Sequence, residues 1–129
     1  MSKPLELPEI ADELVSLAQR NEQIEVCLSR SRSTTVKAYS GQVESVRSGM
    51  SEGVGIRVIV NGQEGFATAG SLDHKVLAQV IEEARGNLQF AESDPDQGLA
   101  EPDGIKSPNL DLVDSAVLKM SDQEKSSIA

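Results

Sequence analysis

The feature that most constrains the fold of this chain is the Asn61-Gly62 dipeptide, which lies between two segments of alternating side chains. Asn-Gly is the favoured two-residue turn of a β-hairpin, because both of its residues tolerate a positive φ angle. The stretch GVGIRVIVNGQEGFATAGSL at residues 53–72 therefore predicts a hairpin that leads into a helix. Pairing the two arms across this turn predicts one register: Val60 opposite Gln63, Ile59 opposite Glu64, Val58 opposite Gly65, Arg57 opposite Phe66, Ile56 opposite Ala67 and Val54 opposite Ala69.

The two faces of this hairpin differ in character. One face is aliphatic on the first arm and carries small residues on the second arm, so a helix can pack closely against it. The opposite face carries two large apolar side chains, although a face that met only water would be polar. We therefore expect a domain or subunit interface on this second face, formed by Arg57, Ile59, Glu64 and Phe66.

Upstream of the hairpin, the sequence predicts one helix and three strands. Residues 8–21 carry apolar side chains at helical spacing, which predicts an amphipathic helix with Arg20 in its last turn. Apolar residues alternate over residues 24–28, which predicts a half-buried strand with Cys27 on the face away from the aliphatic set. A second strand is predicted at residues 35–39, after a polar run, and a weaker third strand at residues 43–46.

Downstream of the hairpin, Ser71 is the predicted cap of a second helix, which has an apolar stripe and carries His74 in its first turn. Gly86 within this helix indicates either a close contact or fraying beyond Arg85. The predicted fold is α+β: a mainly antiparallel sheet of four or five strands with two helices packed on one face. The apolar stripe of the second predicted helix consists of Leu77, Val80, Ile81, Ala84 and Leu88.

Composition divides the chain into three parts. Residues 1–91 form a compact α+β domain, residues 92–109 an acidic linker rich in proline and glycine, and residues 110–129 the start of a following segment. In that last part, Ser121 and Glu124 have the spacing of a capping box, which predicts a third helix. Because the sequence stops within two turns of this cap, we expect an N-terminal fragment or a natural truncation of a longer protein.

Charge and cysteine usage limit the classes of partner. The net charge of −9 disfavours direct binding to nucleic acid or to an anionic membrane. Cys27 is the only cysteine, so no internal disulfide can form, and no apolar signal segment precedes the first helix. These features predict a cytoplasmic protein.

The sequence shows no set of residues for catalysis, cofactor binding or metal binding. His74 is the only histidine, which excludes a two-histidine metal site. Gly53 and Gly55 precede a strand and therefore do not form a nucleotide-binding fingerprint. The acids of residues 94–103 are crowded as calcium ligands can be, but Pro95 and Pro102 interrupt them, and we interpret these acids as solvated linker residues.

Several segments, taken in order, resemble the N-terminal domain of the TldD/PmbA family. These are IEVCLS, YSGQVES, GVGIRVIVNGQEGFATAGSLD and the helix containing VLAQVIEEA, within residues 11–91. Members of this family were called modulators of DNA gyrase and include metal-dependent peptidases, in which one type of subunit carries an HExxxH zinc motif. His74 is followed by Lys75 and has no second histidine, so no catalytic or metal residue is carried over to this chain.

The resemblance implies a noncatalytic N-terminal domain of a zinc-dependent peptidase system, with a role in assembly or in facing the substrate. It implies a homo- or heterodimer partner of the same family, an unfolded peptide as substrate, and zinc only in a C-terminal region of metal-bearing members. The alternative is a freestanding interaction module that uses a sheet edge or the Ile59/Phe66 face. An open reading frame that continues to an HExxxH helix would favour the first hypothesis, and a stop codon after Ala129 the second.

Overall fold

The computed structural model of the protein describes residues 5–129. The chain divides into two compact units, which are described separately. The first unit comprises the chain up to Ser31 together with Ser51–Glu101, and the second comprises Arg32–Met50 together with Pro102–Ala129. The elements in chain order are α1 (Leu7–Ser16), β1 (Gln23–Tyr39), β2 (Gln42–Val60), β3 (Gln63–Ala69), α2 (His74–Asn87) followed by a 3-10 turn (Leu88–Phe90), α3 (Ser115–Lys119) and α4 (Asp122–Ile128).

The predicted α+β class is confirmed, but the described chain has one sheet of three strands, in the order β1-β2-β3, and not the four or five strands that we expected. The predicted first and second strands are one strand, β1, and the predicted third and fourth strands are one strand, β2. The polar run between the predicted strands stays extended because its side chains pair across β1 and β2. These pairs are Arg30 with Glu52, Ser31 with Ser51 and Thr34 with Ser48.

The predicted hairpin is confirmed, including its register. β2 and β3 pair antiparallel with Val54 opposite Ala69, Ile56 opposite Ala67 and Val60 opposite Gln63. Asn61 and Gly62 have φ angles of 50° and 77°, as a left-handed two-residue turn requires.

The core of the first unit lies between the sheet and helices α1 and α2. Its centre is formed by Ile56 and Val58 of β2, whose side chains are fully buried. Four of the five residues of the predicted α2 stripe are buried, and Leu88 packs against them from the 3-10 turn. The buried cluster is Ile10, Leu14, Ile24, Val54, Ile56, Val58, Ala67, Leu72, Leu77, Val80, Ile81 and Ala84.

Two helix ends that we predicted from the local sequence need correction: the start of α2 and the end of α1. α2 is capped by Asp73, whose carboxylate accepts a hydrogen bond from the Lys75 amide at 2.9 Å, and not by Ser71, whose hydroxyl accepts one from the Asp73 amide. α1 ends at Ser16 and does not continue to residue 21. At this end, the Arg85 guanidinium donates a hydrogen bond to the carbonyl of the C-cap residue Leu17, a partner that no local pattern indicates.

The second unit contains the distal parts of β1 and β2 with helices α3 and α4. Ser40 and Gly41 connect the two strands with φ angles of 51° and 76°. The predicted capping box is confirmed, since Ser121 and Glu124 cap α4 reciprocally, whereas α3 was not predicted. No described residue of this unit is buried.

Candidate functional site

The strongest candidate site is the face of the sheet opposite α1 and α2 in the first unit, which we call the open face. Successive side chains of a strand point to opposite sides, so the residues between the core positions lie on this face. They surround a hollow of about 310 Å³. The hollow is lined by Glu25 and Cys27 from β1, Gly55 and Arg57 from β2, and Glu64 and Phe66 from β3.

Gly55 and Phe66 give the hollow its apolar character. A Cβ atom placed on Gly55 would lie 3.4 Å from Cζ of Phe66, so the phenyl ring lies beside the bare backbone of this glycine. The ring is nevertheless 54% exposed. An aromatic side chain that remains this exposed beside an apolar hollow offers contact area to a ligand or partner.

Arg57 is the electrostatic centre of the open face. Its Nε lies 2.6 Å from Oε2 of Glu25, and its Nη1 lies 3.2 Å from Oε2 of Glu64. The hydrogen bond to Glu25 is the largest cause of the raised pKa of Arg57, and Glu64 adds to it. The guanidinium therefore stays charged and holds one carboxylate on each neighbouring strand.

The structure brings three of the four predicted interface residues together and separates the fourth. Arg57, Glu64 and Phe66 line the hollow, whereas Ile59 is only 3% exposed. The segment after the 3-10 turn reaches this end of the face, because the Gln97 amide donates a hydrogen bond to Glu64, the residue opposite Ile59.

Further contacts hold the same segment at the hairpin turn. The Asp94 amide donates to the Gly62 carbonyl at 2.9 Å, and the Ser93 hydroxyl donates to the Asn61 carbonyl at 2.8 Å. Gln97 had no signal in the sequence. Alternation along β1 already placed Cys27 on the side away from the aliphatic residues. Glu25 could have been assigned to the open face in the same way if the pairing of β1 with β2 had been considered.

The different burial of the two apolar residues predicts different effects of Ile59→Ser and Phe66→Ser. We expect Ile59→Ser to lower the free energy of unfolding by roughly 2–4 kcal/mol, because it removes buried apolar surface and buries a hydroxyl group. Phe66→Ser should cost less than about 1 kcal/mol and should mainly weaken association. Urea unfolding followed by circular dichroism measures both, and equal losses for the two variants would contradict the assignment.

A metal site needs several donor side chains close together. Across residues 5–129, no three His, Cys, Asp or Glu side chains come together in a way that could hold a metal ion. His74 lies exposed at the first position of α2. Over the same residues, none of the helices has the length and apolar character needed to cross a bilayer.

These observations define a class of protein domain: a hairpin-centred antiparallel sheet with two helices on one face and a partly exposed opposite face. Residues 24–88, half of the chain, match the sequence profile of PmbA/TldA metallopeptidase domain 1, and the chain belongs to this family. The matched segment runs from the second residue of β1 to the first residue of the 3-10 turn, so it contains all of the sheet except Gln23, together with α2. Comparison with curated proteins gives no match.

Proposed function

We propose that this chain is a noncatalytic N-terminal domain of a TldD/PmbA-like zinc-dependent peptidase system and that it contributes an assembly or substrate-facing surface. The observation that carries the proposal is the open face, where Phe66 is 54% exposed beside an apolar hollow. A hollow of about 310 Å³ accommodates one or two side chains of a partner rather than a complete small-molecule substrate.

The chemistry of the open face supports binding rather than catalysis. Arg57 bridges two carboxylates, so none of the three groups is left free to act as a general base or nucleophile. Cys27 lines the hollow, but the positioned histidine that would activate a thiol is absent, since the one histidine of the sequence lies at the start of α2.

The first test is a peptidase assay on the purified chain with added zinc. We expect no hydrolysis of an unfolded peptide, because the sequence has no HExxxH motif and the described residues gather no metal ligands. A family member that carries HExxxH serves as the positive control. Zinc-dependent turnover by this chain alone would refute the noncatalytic role.

A second candidate function is a freestanding interaction module that binds through a sheet edge. It is favoured by one observation: β1 forms an edge of the sheet along its whole length of 17 residues. Proteins that bind by strand addition use such an edge. A stable interaction with an unrelated protein, together with no binding to a metal-bearing family member, would favour this function over the first.

A further inference from the structure

The hollow on the open face has an apolar part and a charged part. Gly55 and Phe66 form the apolar part, and the phenyl ring is 54% exposed. Glu25 and Glu64 line the hollow from the two outer strands, β1 and β3, and both contact Arg57 of the central strand. A side chain that enters the hollow therefore meets an aromatic ring and two carboxylates.

Each of these carboxylates has one oxygen that a ligand can reach. Arg57 donates to Oε2 of Glu25 and to Oε2 of Glu64, and Gln97 donates to the same oxygen of Glu64. Across residues 5–129, no protein donor reaches Oε1 of either glutamate. The side chains of Glu25 and Glu64 are 53% and 37% exposed, so a ligand in the hollow can approach both.

The sign of the local charge favours a cationic ligand. Arg57 balances only one of the two carboxylates that it contacts, so these groups together carry one net negative charge. The segment that reaches the face beside Glu64 adds the carboxylates of Asp94 and Asp96. The chain as a whole has a net charge of −9. A cation is therefore attracted to the open face, and an anion is repelled.

Arginine is the cationic side chain that best matches the hollow. Its guanidinium is planar, so one face can stack on the Phe66 ring while the edge donates to a carboxylate. Its methylene stem supplies apolar contact. The ammonium of lysine is compact and strongly hydrated, so it cannot make both contacts equally well. A purely apolar side chain would displace water from Glu25 and Glu64 without replacing the lost hydrogen bonds, which costs free energy.

From these observations we infer that the hollow binds the arginine side chain of an extended peptide segment, with the guanidinium stacked on Phe66 and hydrogen-bonded to Glu25, the more exposed of the two glutamates. The inference rests on the proposed role of the open face as a binding surface and names the chemistry of its ligand. The volume of about 310 Å³ holds a side chain and leaves the peptide backbone outside. A single anchored side chain binds weakly, so we expect a dissociation constant of about 1 mM for a short peptide.

Amide NMR titrations with matched peptides test the ligand chemistry. The blocked pentapeptide Gly-Ala-X-Ala-Gly carries arginine, lysine, citrulline or leucine at X, and citrulline has nearly the shape of arginine but no charge. We expect the arginine peptide to bind about threefold more tightly than the lysine peptide and at least about tenfold more tightly than the other two. The amide signals of Glu25, Arg57 and Phe66 should shift. Equal binding of the citrulline or leucine peptide would overturn the inference.

Cys27 reports whether the peptide occupies the hollow. It is the only cysteine of the chain, it is exposed, and it lines the hollow. Bound arginine peptide should shield the thiol, so alkylation by N-ethylmaleimide should slow to about half its rate at a peptide concentration equal to the dissociation constant. The citrulline peptide at the same concentration is the control and should leave the rate nearly unchanged. Unchanged alkylation at a saturating concentration of the arginine peptide would place the binding elsewhere and overturn the assignment.

Two glutamine substitutions separate a contact in the hollow from general charge attraction. Glu25→Gln removes the carboxylate that the arginine contacts and should raise the dissociation constant of the arginine peptide by about fivefold. Glu83→Gln makes the same charge change at an exposed position of α2, on the other side of the sheet, and should leave the constant within about twofold of the parent value. Equal weakening by the two variants would refute a specific contact with Glu25.

Phe66→Leu tests the stacking contact, because it keeps an apolar side chain and removes the ring. We expect the arginine peptide to bind about threefold more weakly to this variant, and the preference for arginine over lysine to disappear. A preference that persists in Phe66→Leu would contradict stacking on the ring, and with it the inference.

The two proposals fail in different ways. If the leucine peptide protects Cys27 as well as the arginine peptide does, the arginine inference is wrong and the open face remains a binding surface. If no peptide shifts the amide signals at about ten times the expected dissociation constant, the arginine inference again fails, and the noncatalytic role is judged separately by the zinc assay. Zinc-dependent turnover combined with arginine binding in the hollow would refute the proposed function alone.

Discussion

Gly65→Ala is expected to be the most destabilising single-methyl addition in the first unit, with a loss of at least about 3 kcal/mol in the free energy of unfolding. A Cβ atom on Gly65 would overlap the carbonyl oxygen of Ala84 and would lie 3.0 Å from the amide nitrogen of Leu88. Both are backbone atoms, so the clash cannot be relieved by a rotamer change. α2 would have to move away from β3, which would open the core around Ile56 and Val58.

Gly86→Ala is the matched control, because it adds the same methyl group on α2, the helix that Gly65 of β3 contacts. No atom lies within 4 Å of a Cβ built on Gly86, so the substitution meets no obstacle. It should stabilise the protein by up to about 1 kcal/mol through helix propensity. Urea unfolding at neutral pH, followed by circular dichroism, measures both variants. If Gly65→Ala cost less than Gly86→Ala gains, the close packing of α2 on β3 would be wrong.

The hairpin could be predicted from the sequence because the features that determine it are local. Side chains alternate with a period of two, and the Asn61-Gly62 turn fixes which residues lie opposite one another, so turn and pattern together determine the register. The same register places Gly65 opposite Val58, on the face where α2 packs closely, as the small residues of this arm predicted. At Gly86, by contrast, neither predicted alternative describes the structure, since no close contact exists and the helix continues to Asn87.

The strand lengths could not be predicted because the usual signal requires a buried face. In the second unit no described residue is buried, so the sequence there lacks the apolar alternation that marks a strand. Residues 29–35 are held extended by an ion pair to β2 and by hydrogen bonds between hydroxyl groups. One of these hydrogen bonds joins Thr34 and Ser48. A polar sequence of this kind is equally typical of a loop.

The candidate site was predictable in part. Arg57, Glu64 and Phe66 followed from the hairpin register alone, since all three lie on the two arms. The burial of Ile59 did not follow, because the segment that reaches this end of the face carries Gln97, which contacts Glu64 across 33 positions of the sequence. Long-range contacts of this kind leave no periodic trace in a single sequence.

Removal of the guanidinium of Arg85 is expected to be the most destabilising polar substitution. Arg85 donates hydrogen bonds to both carboxylate oxygens of Glu22, at 2.8 and 2.9 Å, and to the Leu17 carbonyl at 2.9 Å. The Glu22 side chain is only 7% exposed, so Arg85→Met would leave a largely enclosed carboxylate without its cation. We expect a loss of roughly 3 kcal/mol, at the lower end for broken buried pairs because Arg85 itself is 17% exposed.

Arg57→Met is the control for this substitution. Arg57 also contacts two glutamates, but the side chains of Glu25 and Glu64 are 53% and 37% exposed. Water can solvate these carboxylates once the guanidinium is removed, so the expected loss is about 1 kcal/mol or less. Equal losses for Arg85→Met and Arg57→Met would show that the enclosure of Glu22 does not make its ion pair with Arg85 more important for stability.

The ion pair of Arg85 with Glu22 also predicts how the free energy of unfolding depends on pH. The hydrogen bonds from Arg85 are the main cause of the lowered pKa of Glu22, which in an unfolded chain is close to its ordinary value of 4.5. A carboxyl group with a lower pKa in the folded state binds fewer protons than in the unfolded state, so its stabilising contribution is complete above pH 4.5 and is lost as the pH falls through the folded-state pKa. Glu22→Gln should therefore lower the free energy of unfolding by a constant amount at neutral pH, and the difference from the parent chain should shrink in acid. Urea titrations from neutral pH downwards test this, and a difference that grows as the pH falls would have the wrong sign for a carboxylate held by Arg85.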